Sequence, residues 1–197
     1  MLAKAELKQA IANKNRGLAA SPTEKTAILA AIARLEDRNP TPQPLEAPEL
    51  LEGDWRLRYT SSQDLLGIDR LPLLTLGQIY QCIRTAESKV YNIAEVTGLP
   101  LLEGLVSVAA QFEATSPQRV NVKFERGVLA LQRLIDYRAP SQLIHKLQNT
   151  PKLSLLQAID FDINSDRQQG WLEVTYLDQD MRLGRGNEGS VFVLTKD

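Results

Sequence analysis

The sequence predicts a mainly β protein, a closed antiparallel β-barrel preceded by two α-helices. Apolar residues recur with a period of about 3.6 before residue 40 and about 2 after residue 50. About eight to ten short strands follow in series, and the absence of alternating helices excludes a parallel α/β sheet. A β-sandwich is the other architecture open to such a series. We divide the chain into a helical pair (1–39), a proline-rich linker (40–50) and the barrel (51–197).

The two helices are predicted from apolar spacing and from a capping motif. The first covers residues 3 to about 20, where the apolar residues at helical spacing are Leu7, Ile11 and Leu18. The second begins at Ser21-Pro22-Thr23-Glu24, a capping box with proline at the first helical position. Its apolar stripe consists of Ile28, Ile32 and Leu35, with Ala31 nearby. Prolines from residue 40 onward end this helix.

Alternation of apolar and polar residues predicts the strands. They cover residues 54–60, 79–84, 90–96, 106–112, 120–124, 128–131, 155–163, 171–177, 181–185 and 191–196. Arg126-Gly127 is predicted as a turn between two of these strands, and residues 139–149 are predicted as a short helix. A barrel of about eight strands is wide enough to hold one small ligand.

Charge and cysteine content exclude several classes of function. The chain has 23 basic and 24 acidic residues, so no basic excess neutralises phosphates and no nucleic-acid partner is expected. Cys82 is the only cysteine and cannot form an internal disulfide. No signal peptide and no apolar run of about 18 residues is present, which predicts a soluble cytoplasmic protein that meets membranes only at their surface.

No motif predicts catalysis, a metal site or a cofactor, and we expect a protein that is not an enzyme. Gly184–Gly189 has the spacing of a dinucleotide-binding motif, but a strand follows it where that motif requires a helix. His145, the only histidine, is predicted on an exposed turn, and Cys82 is predicted as a buried, inert thiol. One residue of each type cannot form a His/Cys zinc site.

Two predicted loops are apolar, although loops normally run over the surface and are polar. Each precedes a predicted strand, and their leucines are Leu71, Leu73, Leu74, Leu99, Leu101 and Leu102. These loops either plug one end of the barrel or line a mouth that contacts a lipid or a membrane. We hypothesise the second role.

Two segments of the predicted barrel resemble a known family. Residues 51–62 (LEGDWRLRYTSS) resemble the first strand of the plastid-lipid-associated proteins, also called fibrillins or plastoglobulins. Residues 175–186 (TYLDQDMRLGRG), followed by the strand at 191–194, resemble the C-terminal signature of that family. The family is similar to the lipocalins in fold, so the resemblance implies a lipocalin-like antiparallel β-barrel with two N-terminal α-helices.

The resemblance also implies how one end of the barrel is closed. Gly53 and Trp55 stand where a lipocalin carries its own Gly-x-Trp on the first strand. In such barrels an arginine from the last strands packs on the tryptophan, and Arg182 and Arg185 are the candidates here. The alternative is that both arginines are solvated strand residues.

The function implied by the resemblance is non-enzymatic binding or sequestration of an isoprenoid lipid, a carotenoid or a prenylquinone such as plastoquinone, linked to photoprotection. Family members associate with thylakoids and lipid droplets, so peripheral contact with such a surface is expected, and photosystem proteins are further candidate partners. Plant members begin with a transit peptide, which this sequence lacks, so a prokaryotic member is expected. Residues 136–166 match the family poorly.

Strand aromatics are the expected lining of a ligand cavity, because such cavities are mostly apolar. They are Tyr59, Tyr80, Phe112, Phe124, Trp171 and Tyr176. The rival function is a structural scaffold or coat protein whose barrel is filled by its own side chains and which binds lipid surfaces or photosystem proteins. A cavity of about 300 Å³ or more favours the carrier over the scaffold.

Overall fold

The computed structural model describes residues 2–62, 75–98, 103–164 and 169–196. The α-helices in these ranges are α1 (Leu2–Ile11), α2 (Pro22–Glu36), α3 (Pro48–Leu51) and α4 (Pro140–Asn149). The strands are β1 (Gly53–Thr60), β2 (Thr75–Arg84), β3 (Lys89–Thr97), β4 (Gly104–Ala114), β5 (Arg119–Leu131), β6 (Ala158–Asp162), β7 (Gln169–Leu177), β8 (Met181–Gly186) and β9 (Val191–Lys196). The protein is mainly β, with the helical pair first, as predicted.

Eight of these strands form a closed antiparallel barrel, which confirms the predicted fold. Strands β1 to β5 pair in sequence order, β7 to β9 continue the sheet, and β9 pairs with β1 to close the ring. Strand β5 is shared between two neighbours, because Arg119–Lys123 pairs with β7 and Arg126–Ala130 pairs with β6. Strand β6 therefore lies beside the ring instead of within it.

The turn predicted at Arg126-Gly127 is wrong, because β5 runs through these residues without interruption. The register between β4 and β5 shifts next to Ala109, and this leaves Glu125 as a bulge. Gly127 permits a close approach instead of a turn, since a Cβ atom there would lie 2.5 Å from the ring of Phe161. A glycine is needed at this position, but the reason is close packing against the neighbouring strand β6 and not a turn.

The two N-terminal helices differ in how well they were predicted. The capping box of α2 is confirmed: the Glu24 N–H donates to Ser21 Oγ over 3.3 Å, and the Ser21 N–H donates to Glu24 Oε2 over 2.8 Å. Helix α1 ends at Ile11 instead of near residue 20, because three of the residues 13–16 have φ between 42° and 59°. The chain then reaches the barrel, where the Thr60 N–H donates to a backbone oxygen of this turn over 3.0 Å.

The helix pair packs on the outer face of the barrel. Helices α1 and α2 share a buried cluster with outward-facing residues of β1, β7, β8 and β9. The barrel side of this cluster consists of Tyr59, Tyr176, Met181, Leu183, Val191 and Val193. Helix α4 and the residues around it cover the outer face of β2 to β5 in a second cluster. Two separate helical layers therefore bury the barrel wall from outside.

Ion pairs also join the helices to the barrel. Arg185 of β8 donates to both carboxylate oxygens of Glu36 in α2, over 2.9 Å and 2.6 Å. Lys4 of α1 donates to Asp178 over 2.7 Å. Burial alone raises the pKa of Asp178, but hydrogen bonds from Lys4 and Tyr176 outweigh burial and hold the pKa at about 2. The helix pair is thus fixed by charge as well as by apolar packing.

Candidate functional site

The barrel contains a cavity of about 560 Å³. Its apolar lining residues are Leu45, Leu51, Ile83, Val90, Val108, Phe112, Val120, Val122, Phe124, Trp171, Leu172, Val174 and Phe192. Its polar side chains are Ser62, Gln81, Asn92, Arg182, Asn187 and Ser190. Ligand sites in proteins occupy about 300 to 1,000 Å³ and are mostly apolar with a few polar groups. The barrel is therefore hollow, and its cavity has the size and character of a small-molecule site.

Two of the aromatics predicted from sequence, Phe112 and Phe124, point into the cavity, and Trp171 only borders it. Phe112 of β4 and Phe124 of β5 pack against the buried cluster inside the barrel. Trp171 of β7 borders the cavity, but its ring lies on the outer face, because it is opposite the exposed Asn121 in the β5–β7 ladder and its centroid is 4.3 Å from the guanidinium carbon of the exposed Arg119. The backbone N–H of Trp171 donates to Asn187 Oδ1 over 2.9 Å, which fixes the neighbouring polar rim.

The other three predicted lining aromatics, Tyr59, Tyr80 and Tyr176, do not line the cavity. Register shifts within β1 and β7 turn Tyr59 and Tyr176 outward, where they pack against the helix pair. Tyr80 points to the opposite face of β2 from its neighbour Gln81 and packs in the cluster under α4. This corrects the expectation that these three strand aromatics line the cavity.

Trp55 is fully buried inside the barrel at the start of β1. Its Nε1–H donates to the backbone oxygen of Leu51 over 2.8 Å. The guanidinium carbon of Arg182 and the ammonium nitrogen of Lys196 each lie 5.1 Å from the centroid of the Trp55 ring. Gly53 has a φ of +130°, a conformation that favours glycine, and it leaves room for the Lys196 side chain. Two cations thus flank this indole.

Arg182 is 1% exposed and begins a row of polar side chains across the interior of the barrel. Its Nη2 donates to Gln81 Oε1, and Gln81 Nε2 donates to Asn92 Oδ1 over 3.0 Å. The Nε and Nη1 atoms of Arg182 are buried without a hydrogen-bond partner in the part of the chain that the structure describes. Burial lowers the pKa of the guanidinium to about 9, so the group remains charged at neutral pH. Arg185, the other candidate named from sequence, faces outward to Glu36.

The two residues with the greatest nucleophilic or acid–base potential lie away from the cavity wall. Cys82 is fully buried in the cluster under α4, and burial raises the pKa of its thiol. His145 is exposed on α4. Within the described ranges, no group of three or more His, Cys, Asp or Glu residues is arranged to hold a metal ion.

Sequence reasoning missed an exposed apolar surface in and beside β6, which we call the β6 patch. It consists of Leu129, Leu155, Leu156, Ile159 and Phe161. Leu155 and Leu156 are 90% and 87% exposed, and Leu129 lies directly opposite Ile159 in the β5–β6 ladder. The adjacent leucines before β6 were the available signal, in a region where the family resemblance was weak.

The leucines of the two predicted mouth loops fall outside the described residues. These leucines are Leu71, Leu73, Leu74, Leu99, Leu101 and Leu102. Their contact with a lipid or a membrane therefore stays a prediction.

Comparison with known proteins assigns the chain to a family. The family model PAP_fibrillin matches residues 1–195. The chain belongs to the PAP_fibrillin family. This confirms the resemblance found in the first and last strands of the barrel. No solved structure matches the chain.

The following curated relatives of this PAP_fibrillin chain come from plants. The light-induced chloroplastic protein of Solanum tuberosum is 36% identical, with 100% of this chain and 67% of the relative covered. The chromoplast-specific carotenoid-associated protein of Cucumis sativus is 36% identical over 93% of this chain and 64% of its own length. The probable plastid-lipid-associated protein 2 of Arabidopsis thaliana is 36% identical over 98% and 70%. The chain thus spans about two thirds of the length of these relatives, two of which are named as carotenoid-associated or plastid-lipid-associated.

None of the helices in the described segments combines the length and the apolar character needed to cross a membrane.

Proposed function

We propose that the protein binds an apolar isoprenoid lipid, a carotenoid or a prenylquinone, inside the barrel, and that binding without catalysis is its function. The largely apolar cavity of about 560 Å³ carries this proposal. Support also comes from the relatives in Cucumis sativus and Arabidopsis thaliana, which are named carotenoid-associated and plastid-lipid-associated.

Burial of the guest supplies the binding energy. Removal of apolar surface from water contributes about 25 cal/mol per Å², so a guest that buries about 300 Å² gains about 7 kcal/mol before the cost of association. Phe112, Phe124 and Val122 provide apolar contact from two neighbouring strands. The few polar groups of the wall orient a ring oxygen or hydroxyl group instead of supplying most of the affinity.

We also propose that the protein associates peripherally with thylakoid or lipid-droplet surfaces and acts in photoprotection. Photosystem proteins are candidate partners. The β6 patch supports contact with a lipid surface, because the side chains of Leu155 and Leu156 are already exposed and can contact lipid without rearrangement of the core. A scaffold would use the same patch but would leave the cavity without a role. The hollow interior therefore favours the carrier.

The carrier is tested by filling the cavity. Val122 faces the cavity, whereas its neighbour Asn121 is exposed on the other face of β5. Val122→Trp, Asn121→Trp and the unmodified protein are each incubated with β-carotene or plastoquinone, separated from free lipid by gel filtration and extracted. We expect close to one lipid per chain in the unmodified protein and in Asn121→Trp, and a loss of bound lipid in Val122→Trp.

Thermal unfolding of each variant confirms that it is folded before lipid is counted. Equal lipid on Val122→Trp and Asn121→Trp would place the lipid on the surface and favour the scaffold. Absence of bound lipid on the unmodified protein would contradict the carrier.

A further inference from the structure

Arg182 is the only charged residue among the described residues that line the cavity. It is almost fully buried, and two of its three guanidinium nitrogens have no hydrogen-bond partner in the described parts of the chain. A buried charge is strongly disfavoured unless an opposite charge or several hydrogen bonds compensate it. Among the described residues, the wall of the cavity therefore contains a cation without a paired anion.

The surrounding residues do not supply the missing anion. Asp54 of β1, which interacts with the nearby Cys82 thiol, accepts a hydrogen bond from Arg84 over 2.8 Å. The titratable neighbours of Arg182 are Cys82, whose raised pKa keeps its thiol neutral near pH 7, and Lys196, which is itself a cation. No aspartate or glutamate belongs to the described lining of the cavity.

Closure of the barrel does not by itself explain the buried guanidinium. The Trp55 ring already has the ammonium group of Lys196 at the same distance of 5.1 Å. Lys196 is also hydrogen-bonded, since its Nζ donates to the backbone oxygen of Leu50 over 3.0 Å. A second cation over the same indole adds charge to an apolar interior, where charge is unfavourable.

The polar row beside Arg182 is suited to a group that accepts hydrogen bonds. Gln81 Oε1 accepts from Arg182 and Asn92 Oδ1 accepts from Gln81, so both side-chain oxygens are engaged within the row. The amide nitrogen of Asn92 donates to no described residue. The row therefore offers N–H donors and a positive charge at one place in a mostly apolar cavity.

We propose that the cavity is built for a lipid acid, an apolar isoprenoid or acyl chain that ends in a carboxylate. Arg182 provides the counter-charge, and Gln81 and Asn92 orient the carboxylate. The two carboxylate oxygens accept hydrogen bonds, and their charge compensates the guanidinium in a medium of low dielectric constant. This rests on the proposed binding of an isoprenoid lipid inside the barrel, and it differs from that proposal in the end group, because β-carotene and plastoquinone carry no carboxylate.

The test compares two probes that share one isoprenoid chain and differ in the end group, all-trans-retinoic acid and all-trans-retinol. Binding is followed by quenching of the fluorescence of Trp55 and Trp171 in the unmodified protein and in three variants. The variants are Arg182→Met, Arg182→Lys and, as a control on the outer face of the same strand, Arg185→Met. We expect the acid to bind at least about tenfold more tightly than the alcohol to the unmodified protein and to Arg185→Met. The preference is expected to disappear in Arg182→Met and to return in Arg182→Lys.

Equal dissociation constants for the acid and the alcohol in the unmodified protein would overturn the inference and leave the proposed function standing. This comparison needs no variant, so it decides the matter even if Arg182→Met fails to fold. A preference for the acid that persists in folded Arg182→Met would also overturn it. If neither probe binds, and β-carotene and plastoquinone do not bind either, the proposed function fails together with the inference.

Discussion

Replacement of Ile32 by alanine tests whether the helix pair and the barrel unfold as one unit. Ile32 of α2 is fully buried in the cluster that the helix pair shares with β8 and β9. The change removes three carbon groups, worth about 0.8 kcal/mol each, and leaves a cavity that adds to the loss. We expect the free energy of unfolding to fall by about 3 kcal/mol, which lowers Tm by about 6 to 12 °C for a chain of this size.

The positions of the two tryptophans make this effect measurable. Trp55 and Trp171 both belong to barrel strands, so their fluorescence reports unfolding of the barrel alone. Far-ultraviolet circular dichroism reports the helices as well. In Ile32→Ala the two transitions are expected to shift together, as they do in a cooperative unit. The matched control is Leu29→Ala on the exposed side of the same helix, for which we expect a change below about 0.5 kcal/mol.

Two results would refute this reasoning. If the helical signal of Ile32→Ala is lost early while the tryptophan transition stays at its original temperature, the helix pair is an independent unit that only rests on the barrel. If Leu29→Ala is destabilised as much as Ile32→Ala, burial against the barrel is not the source of the effect.

Three further predictions follow from the structure. Asp178 has a pKa of about 2 in the folded protein against an ordinary value of 3.8, so its stabilisation is present above about pH 4 and is lost as the pH falls towards 2. Asp178→Asn is expected to flatten the fall of Tm over that range, and an unchanged fall contradicts this. Cys82 is fully buried, and burial raises the pKa of its thiol. A thiol reagent is therefore expected to label Cys82 only after the protein unfolds. Rapid labelling of the native protein would contradict this prediction. Replacement of both Leu155 and Leu156 by aspartate is expected to weaken flotation with liposomes about tenfold at unchanged Tm. The control Leu2→Asp, at an exposed position of α1, is expected to leave flotation unchanged. Equal losses in the two variants would contradict specific binding by the β6 patch.

Periodicity predicted the class of fold because the barrel strands and α2 are locally consistent in sequence. The capping box at Ser21 and the stripe that contains Ile32 both agree with the structure. Strand parity was harder to predict, because a single bulge reverses the direction of every later side chain. Tyr59 and Tyr176 each follow a register shift and therefore point outward to the helix pair. Local composition around these tyrosines contains no sign of the bulges.

The hollow interior could not be predicted at all from the sequence. A filled barrel and an empty one have the same alternation, and they differ only in the summed volume of inward side chains relative to the circumference of the barrel. The role of Arg182 could be predicted only in part. The family resemblance predicted its contact with Trp55. Its missing counter-charge becomes apparent only when all the neighbouring strands are in place. Interactions that depend on several distant segments leave no short motif.

The helical layers on both outer faces of the barrel separate two tasks that compete in many binding proteins. In a barrel stabilised mainly by its centre, every substitution that enlarges the chamber also weakens the molecule. Here much of the buried apolar packing lies between the barrel wall and the helical layers outside it, through residues such as Leu183 and Ile93 that point away from the cavity. Inward positions such as Val108 can therefore be substituted to fit a different ligand with a smaller loss of stability. One shell of this design can serve a series of proteins with different cargoes.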